Sequence, residues 1–129
     1  MSENFTVEII SPNATVFKSE ANQVLIPSYE GEMGILKNHI PLITFLRPGL
    51  IKIFNNSEEN FFVEEGTVEF ASNSLLILTS TAKKINELDK TLITNLIKEA
   101  ENKSTDEKIS DKERYLLAYK IETLKNINR

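Results

Sequence analysis

The sequence predicts an antiparallel β-sandwich or barrel followed by an α-helical hairpin. Three observations carry this reading. All four glycines, all four prolines and all seven phenylalanines lie before residue 81. Glycine and proline punctuate short elements, and their absence lets long helices run. Apolar residues alternate with polar ones before residue 81 and recur every three or four positions after it. Charge divides at the same place. Residues 1–80 hold 4 Lys+Arg against 10 Asp+Glu, and residues 81–129 hold 11 against 9, which together give the net charge of −4. The expected domains are a sandwich over 1–82 and a hairpin over 86–129.

Taken in order, "FTVEII" puts Phe5, Val7 and Ile9 on one face of a strand. "LIKIF" sets Leu50 and Lys52 opposite Ile51 and Ile53, and "TVEFA" places Val68 and Phe70 together. "SLLILTS" is a continuous apolar run, as expected of a strand buried on both faces or at a sandwich core. Breaks are expected at "SPN", "PSYEGE", "KNHIP", "RPG", "NNSEEN", "EEG" and "SNS". Short strands with frequent turns define the sandwich or barrel class.

In the second half Leu88, Leu92, Leu96 and Ala100 recur every four residues, widened by Ile93 and Ile97. Asn86 is the expected cap of this helix, with Asp89 favourable in its first turn. "NKSTDEKIS" is expected to interrupt it. "SDKE" then opens a second helix with a capping box, Ser110 to Glu113. Leu117, Ile121 and Leu124 form its stripe, extended by Leu116 and Ile127.

Composition removes several function classes. The chain has 129 residues and no cysteine, so disulfides, thiol nucleophiles and thiolate metal sites are out. A net charge of −4 offers nucleic acid no electrostatic attraction. No apolar run approaches a membrane span, and the start "MSENFTVEII" has neither a secretory nor a transit pattern.

The stretch "PSYEGEMGILKNHIPL" concentrates the unusual residues: two glycines, two prolines, the only histidine and two nearby acids. His39 with Glu30 and Glu32 could be imagined as a metal-assisted hydrolase site. But the histidine is seven residues from the nearer acid, with no second histidine and no HExxH register. No GxSxG elbow supplies a nucleophile. His39 therefore reads as a structural or interface residue. "EGEMG" is not a phosphate-cradling loop, since it lacks the GxxxxGK[ST] pattern. It reads as a tight acidic turn held in solvent, and such a tip invites a basic or polar partner. On the second helix Arg114, Lys125 and Arg129 fall on one side at 100° per residue, beside the apolar stripe. Isolated helices of this length are marginal, so docking must stabilise the hairpin.

The same stretch resembles the signature loop of the epsilon subunit of F-type ATP synthases, called delta in mitochondria. The family pattern is EGE or EGD, a hydrophobic-Gly-hydrophobic step, a histidine, then Pro-Leu. Glu30, Gly31, Glu32, Met33, Gly34, Ile35, His39, Pro41 and Leu42 match it. "VEIISPNATVF", "LRPGLIKI" and "VEEGTVEFASNSLLILTSTA" resemble the flanking strands, over about residues 5–82. The resemblance implies a sandwich of ten strands, then a helical hairpin, in a non-catalytic rotor subunit of the central stalk. It implies the gamma subunit and the c-ring as partners, and alpha and beta subunits through the helices. Glu30, Gly31 and Glu32 would meet the c-ring. His39, Pro41 and Leu42 would shape the sandwich and its gamma-facing side. Arg114, Lys125 and Arg129 would meet an acidic segment of beta. The family's nucleotide motif, Ile/Leu-Asp-x-x-Arg-Ala, survives here only as Leu88 and Asp89, with Leu92 and Ile93 at the Arg-Ala positions. No cofactor is implied, and ATP binding is expected to be weak or absent. The implied location is the cytoplasmic face of a bacterial inner membrane, reached through the complex, with the stroma-facing thylakoid as the alternative. Outside this family, the alternative is a generic β-sandwich interaction module.

Overall fold

The computed structural model describes residues 3–127. Nine strands precede residue 80: β1 (Phe5–Ile10), β2 (Thr15–Ala21), β3 (Gln23–Ser28), β4 (Gly31–Leu36), β5 (Leu42–Leu46), β6 (Gly49–Asn55), β7 (Ser57–Val63), β8 (Gly66–Ala71) and β9 (Ser74–Leu78). A two-residue β10 (Lys83–Lys84) follows, then a 3-10 turn (Ile85–Glu87), α1 (Lys90–Ser104) and α2 (Asp111–Lys125). The ten strands form a sandwich and the two helices a hairpin, as the sequence predicts.

The strands run β10-β7-β6-β3-β5-β8-β9-β1-β2, with β4 on the free side of β3. One residue pair, Ser28 with Leu46, joins β3 to β5 and makes two five-stranded halves one curled sheet. Pairing is antiparallel except between β1 and β9. The period of two sorts the side chains. Val24, Ile26, Ile35, Ile51, Ile53, Phe61 and Val63 of one half meet Phe5, Val7, Ile9, Val68, Phe70, Leu75 and Ile77 of the other. The two inner faces form the main core. Phe5 and Phe70 pack edge to face within it at 5.6 Å.

A second, smaller core lies outside the sandwich. Phe62 points away from Phe61 and meets Leu88, Ile93 and Leu124, with Leu50, Leu96 and Ile97 packed around them. The hairpin thus seats on the outer face of β6 and β7. Burying four such side chains contributes about 1.5–3 kcal/mol each, which offsets the marginal stability of fifteen-residue helices.

Several local expectations are corrected. Asp89, not Asn86, caps α1, accepting the Leu92 amide at 2.7 Å, because residues 85–87 close a 3-10 turn first. The buried stripe of α1 is Ile93 and Ala100, with Leu96 and Ile97, while Leu92 is 38% exposed. Docking fixed which side of a broad apolar arc faces inward. Helix α1 also runs through Asn102, Lys103 and Ser104, so the interrupting loop is shorter than "NKSTDEKIS". "NNSEEN" is mostly strand: Asn55 pairs with Ser57, and Asn56 alone turns the chain at φ 62°. Of the two readings of "SLLIL" the sandwich-core strand is the one seen: Leu75 and Ile77 lie in the core while Leu78 is 45% exposed. Ser110 caps α2 as expected: the Glu113 amide donates to Ser110 Oγ at 3.0 Å, and that hydroxyl lies 3.4 Å from Glu113 Oε1.

Candidate interaction surfaces

The acidic stretch is the β3–β4 hairpin turn. Ser28 is fully buried and builds it: its hydroxyl donates to the Gly31 carbonyl at 2.7 Å, and the Glu30 amide donates to Ser28 Oγ at 3.3 Å. Gly31 sits at φ +121°, a conformation side chains rarely adopt. With the turn so closed, Glu30 and Glu32 both stand in solvent.

Arg47 braces this turn from behind. Its amide donates to the Pro27 carbonyl at 3.0 Å, and its Nε donates to the Ser28 carbonyl at 2.8 Å. The guanidinium carbon lies 3.6 Å from the centre of the Tyr119 ring on α2. Tyr115 packs against Tyr119 at 4.9 Å, and a hydrogen bond to Tyr119 raises the Tyr115 phenol above its usual pKa. Gly49, just after, approaches Pro27 so closely that a Cβ there would meet the proline Cβ at 2.5 Å.

His39 lies at the other end of β4, about 17 Å along the strand at 3.3 Å per residue. It is therefore not brought together with Glu30 and Glu32. Its Nδ1 lies 2.7 Å from the Ile40 carbonyl, which places the proton on Nδ1. Its ring packs edge to face on Phe70 at 5.9 Å. The loop holding it is pinned by an asparagine pair: the Asn38 amide donates to Asn73 Oδ1 at 2.7 Å, and Asn73 Nδ2 donates to Asn38 Oδ1 at 3.0 Å. Pro41 is exposed and Leu42 half-buried. Among the described residues, no three His, Asp or Glu side chains converge as a metal site would require.

The two outer faces of the sandwich differ. The outer face of β6 and β7 is sealed by the helices. The outer face of β5, β8, β9 and β1 is not. The register there aligns Phe45, Thr67, Leu78 and Ile10 in one row, and Ile43, Glu69, Leu76 and Glu8 in the next. Ile43 is 75% exposed and Phe45 59%. Exposed aromatic and branched side chains grouped on one face mark a docking surface. Ile43, Phe45 and Leu78 were not singled out from the sequence. The available signal was that "LITFL" and "SLLIL" are apolar at both parities, where a half-buried strand would alternate.

The basic row of α2 is spread out and engaged. Arg114 donates through Nη1 to the Ser104 carbonyl and through Nη2 to the Asp106 carbonyl, the latter at 3.2 Å, closing the loop between the helices. Lys125, at the far end of α2, pairs with Glu101 of α1 at 3.4 Å. Arg129 lies outside the described residues. In the nucleotide-motif remnant, Leu88 is buried in the hairpin seat and the Asp89 carboxylate serves as the cap of α1. No helix among the described residues is long and apolar enough to cross a membrane.

Comparison with known proteins bears on these surfaces. Residues 4–85 match the family described as "ATP synthase, Delta/Epsilon chain, beta-sandwich domain". The chain is 46% identical to the ATP synthase epsilon chain of Pelagibacter ubique, over 99% of this chain and all of that one. It is 31% identical to the ATP synthase epsilon chain of Parvibaculum lavamentivorans, over 98% and 97% of the two chains. The fold resembles a chain in the cryo-EM structure of the Euglena gracilis mitochondrial ATP synthase OSCP/F1/c-ring, with TM-score 0.76, 19% identity, and coverage of 97% of this chain and 79% of that one. It also resembles a chain of the Tetrahymena thermophila mitochondrial ATP synthase central stalk and c-ring, with TM-score 0.67, 15% identity and coverage of 93% and 92%.

Proposed function

The chain belongs to the ATP synthase delta/epsilon family, and from that premise we propose that it is a non-catalytic rotor subunit of the central stalk of an F-type ATP synthase. The sandwich acts as a rigid coupling with two grips. Its uncovered outer face docks the gamma subunit, with His39, Pro41 and Leu42 at the margin. Its acidic turn, Glu30, Gly31 and Glu32, meets the polar loops of the c-ring. Torque passes between the two through the shared core.

The observation that carries this reading is the contrast between the outer faces. One is sealed by the chain's own helices, while the other leaves Ile43 75% exposed. A surface of this kind is built for a protein partner. The position is peripheral to the membrane and reached through the complex, on the cytoplasmic side of a bacterial inner membrane. The 46% identity to a bacterial epsilon chain favours this over a thylakoid.

The hairpin regulates ATP hydrolysis by leaving its seat and reaching alpha and beta subunits, with Arg114, Lys125 and Arg129 as its basic contacts. Deleting residues 87–129 and assaying the assembled ATPase tests this: faster hydrolysis is expected, and no change ends it. The rotor reading is tested by isolating the chain from its native membrane. Recovery with alpha, beta and gamma subunits is expected. Recovery without them would favour a generic interaction module.

A further inference from the structure

We propose that Arg47 links the acidic β3–β4 turn to the seating of helix α2, so that the order of the turn depends on whether the hairpin is docked. This rests on the rotor reading only in treating the turn as a docking surface.

Arg47 touches both structures at once. Its Nε holds the Ser28 carbonyl at 2.8 Å, at the residue whose hydroxyl builds the turn. Its guanidinium face lies 3.6 Å under Tyr119. The planar guanidinium suits this double use: it donates in its plane while an aromatic ring covers its face. The second cation–π approach between the turn and α2 is looser. Lys112 lies 6.0 Å from the Tyr29 ring, at the limit of such contacts.

The arrangement is also incompletely satisfied. Arg47 Nη1 and Asn60 Oδ1 are buried without a hydrogen-bond partner among the described residues. Asn60 shares the outer face of β7 with Phe62, which the hairpin covers. Unpaired buried polar atoms weigh against the state that buries them. When α2 lifts, the guanidinium regains water and loses its aromatic lid. The Arg47 side chain is then free to rotate away from Ser28, and the turn loses its brace. Linkage is reciprocal, so a partner that holds the turn in its closed form also favours the seated hairpin.

The test uses the full free chain and amide hydrogen exchange. Tyr119→Ala removes the lid without touching the turn. It is expected to speed exchange at the Tyr29 and Glu30 amides by several-fold to about thirtyfold, the range from an exposed to a desolvated cation–π contact. Tyr119→Phe keeps the ring and should restore protection. Leu124→Ala, which loosens the seat through its apolar core, should loosen the turn as well. Amides of Val68 and Ile77 in the opposite half serve as the control for an intact sandwich. Faster exchange in α2 with an unchanged turn overturns the proposal. Unchanged exchange in both also overturns it, because the ring then contributes nothing to seating. None of these outcomes depends on whether the turn meets a c-ring, which the recovery of the native complex decides separately.

Discussion

Lys120 on α2 places its ammonium 2.7 Å from Glu64 Oε1 at the end of β7, with side chains only 14% and 33% exposed. The pair sits beside a hydroxyl network in which the Glu64 amide donates to Thr81 Oγ1 at 2.9 Å and Thr79 Oγ1 donates to the Glu65 carbonyl at 2.6 Å. It differs from Lys103–Glu99, where both partners are 63% exposed and screened by water.

A double-mutant cycle of Lys120→Ala and Glu64→Ala should therefore show a coupling of about 1 kcal/mol in hairpin stability, at the upper end of what partly exposed pairs give. The same cycle on Lys103 and Glu99 should show a few tenths of a kcal/mol or less. Thermal unfolding followed at low and high salt measures both. Equal couplings would mean that burial of the first pair carries no energy.

Phe45→Glu and Ile43→Glu test the uncovered face. Both side chains are more than half exposed, so the fold should lose less than about 0.5 kcal/mol. Binding to gamma should fall about a hundredfold or more, as expected when a central apolar anchor becomes a buried charge. Normal binding by both variants in a titration would move the gamma site elsewhere.

The two glycines near the acidic turn should behave differently. At Gly31 a Cβ would meet nothing within 4 Å, so Gly31→Ala costs backbone strain at φ +121° alone, about 1–3 kcal/mol. At Gly49 the added methyl would sit 2.5 Å from Pro27, a rigid neighbour, so Gly49→Ala should cost about 1–3 kcal/mol or more by overpacking. Denaturant midpoints measure both. A Gly49→Ala chain as stable as the parent would contradict the close approach of β3 and β6.

Leu124→Ala should destabilise the hairpin by about 2–5 kcal/mol, because this residue is fully buried in the seat. Leu92→Ala should cost well under about 1 kcal/mol, because Leu92 faces partly outward. Helix-specific amide exchange separates the two. A large loss for Leu92 would restore the four-residue stripe expected from spacing.

ATP should bind at millimolar strength or not at all. Leu92 stands where an arginine would contact phosphate, and the Asp89 carboxylate is engaged with the Leu92 amide at 2.7 Å. Calorimetry that returns a micromolar affinity would refute this.

The strands and helices were legible because their faces follow from local period. Phe5, Val7 and Ile9 point one way in any extended segment, and Ser110 caps a helix wherever the chain goes next. The details that were not legible depend on neighbours. Asp89 rather than Asn86 caps α1 because a 3-10 turn intervenes. Leu92 faces out because the seat on Phe62 selected Ile93. Arg47 was not singled out at all, since its partners Ser28 and Tyr119 lie 19 and 72 residues away.

By itself, then, the sequence determined a short-stranded sandwich or barrel, a helical hairpin and an acidic turn with a glycine at its closing position, and the family resemblance implied ten strands. It did not determine which outer face the hairpin would cover. Leu50 and Phe62 on one side, and Ile43, Phe45 and Leu78 on the other, read alike in alternation. Only long-range packing sealed the first set and left the second in water, because a period of two sorts residues between faces but carries no information about what comes to lie upon them.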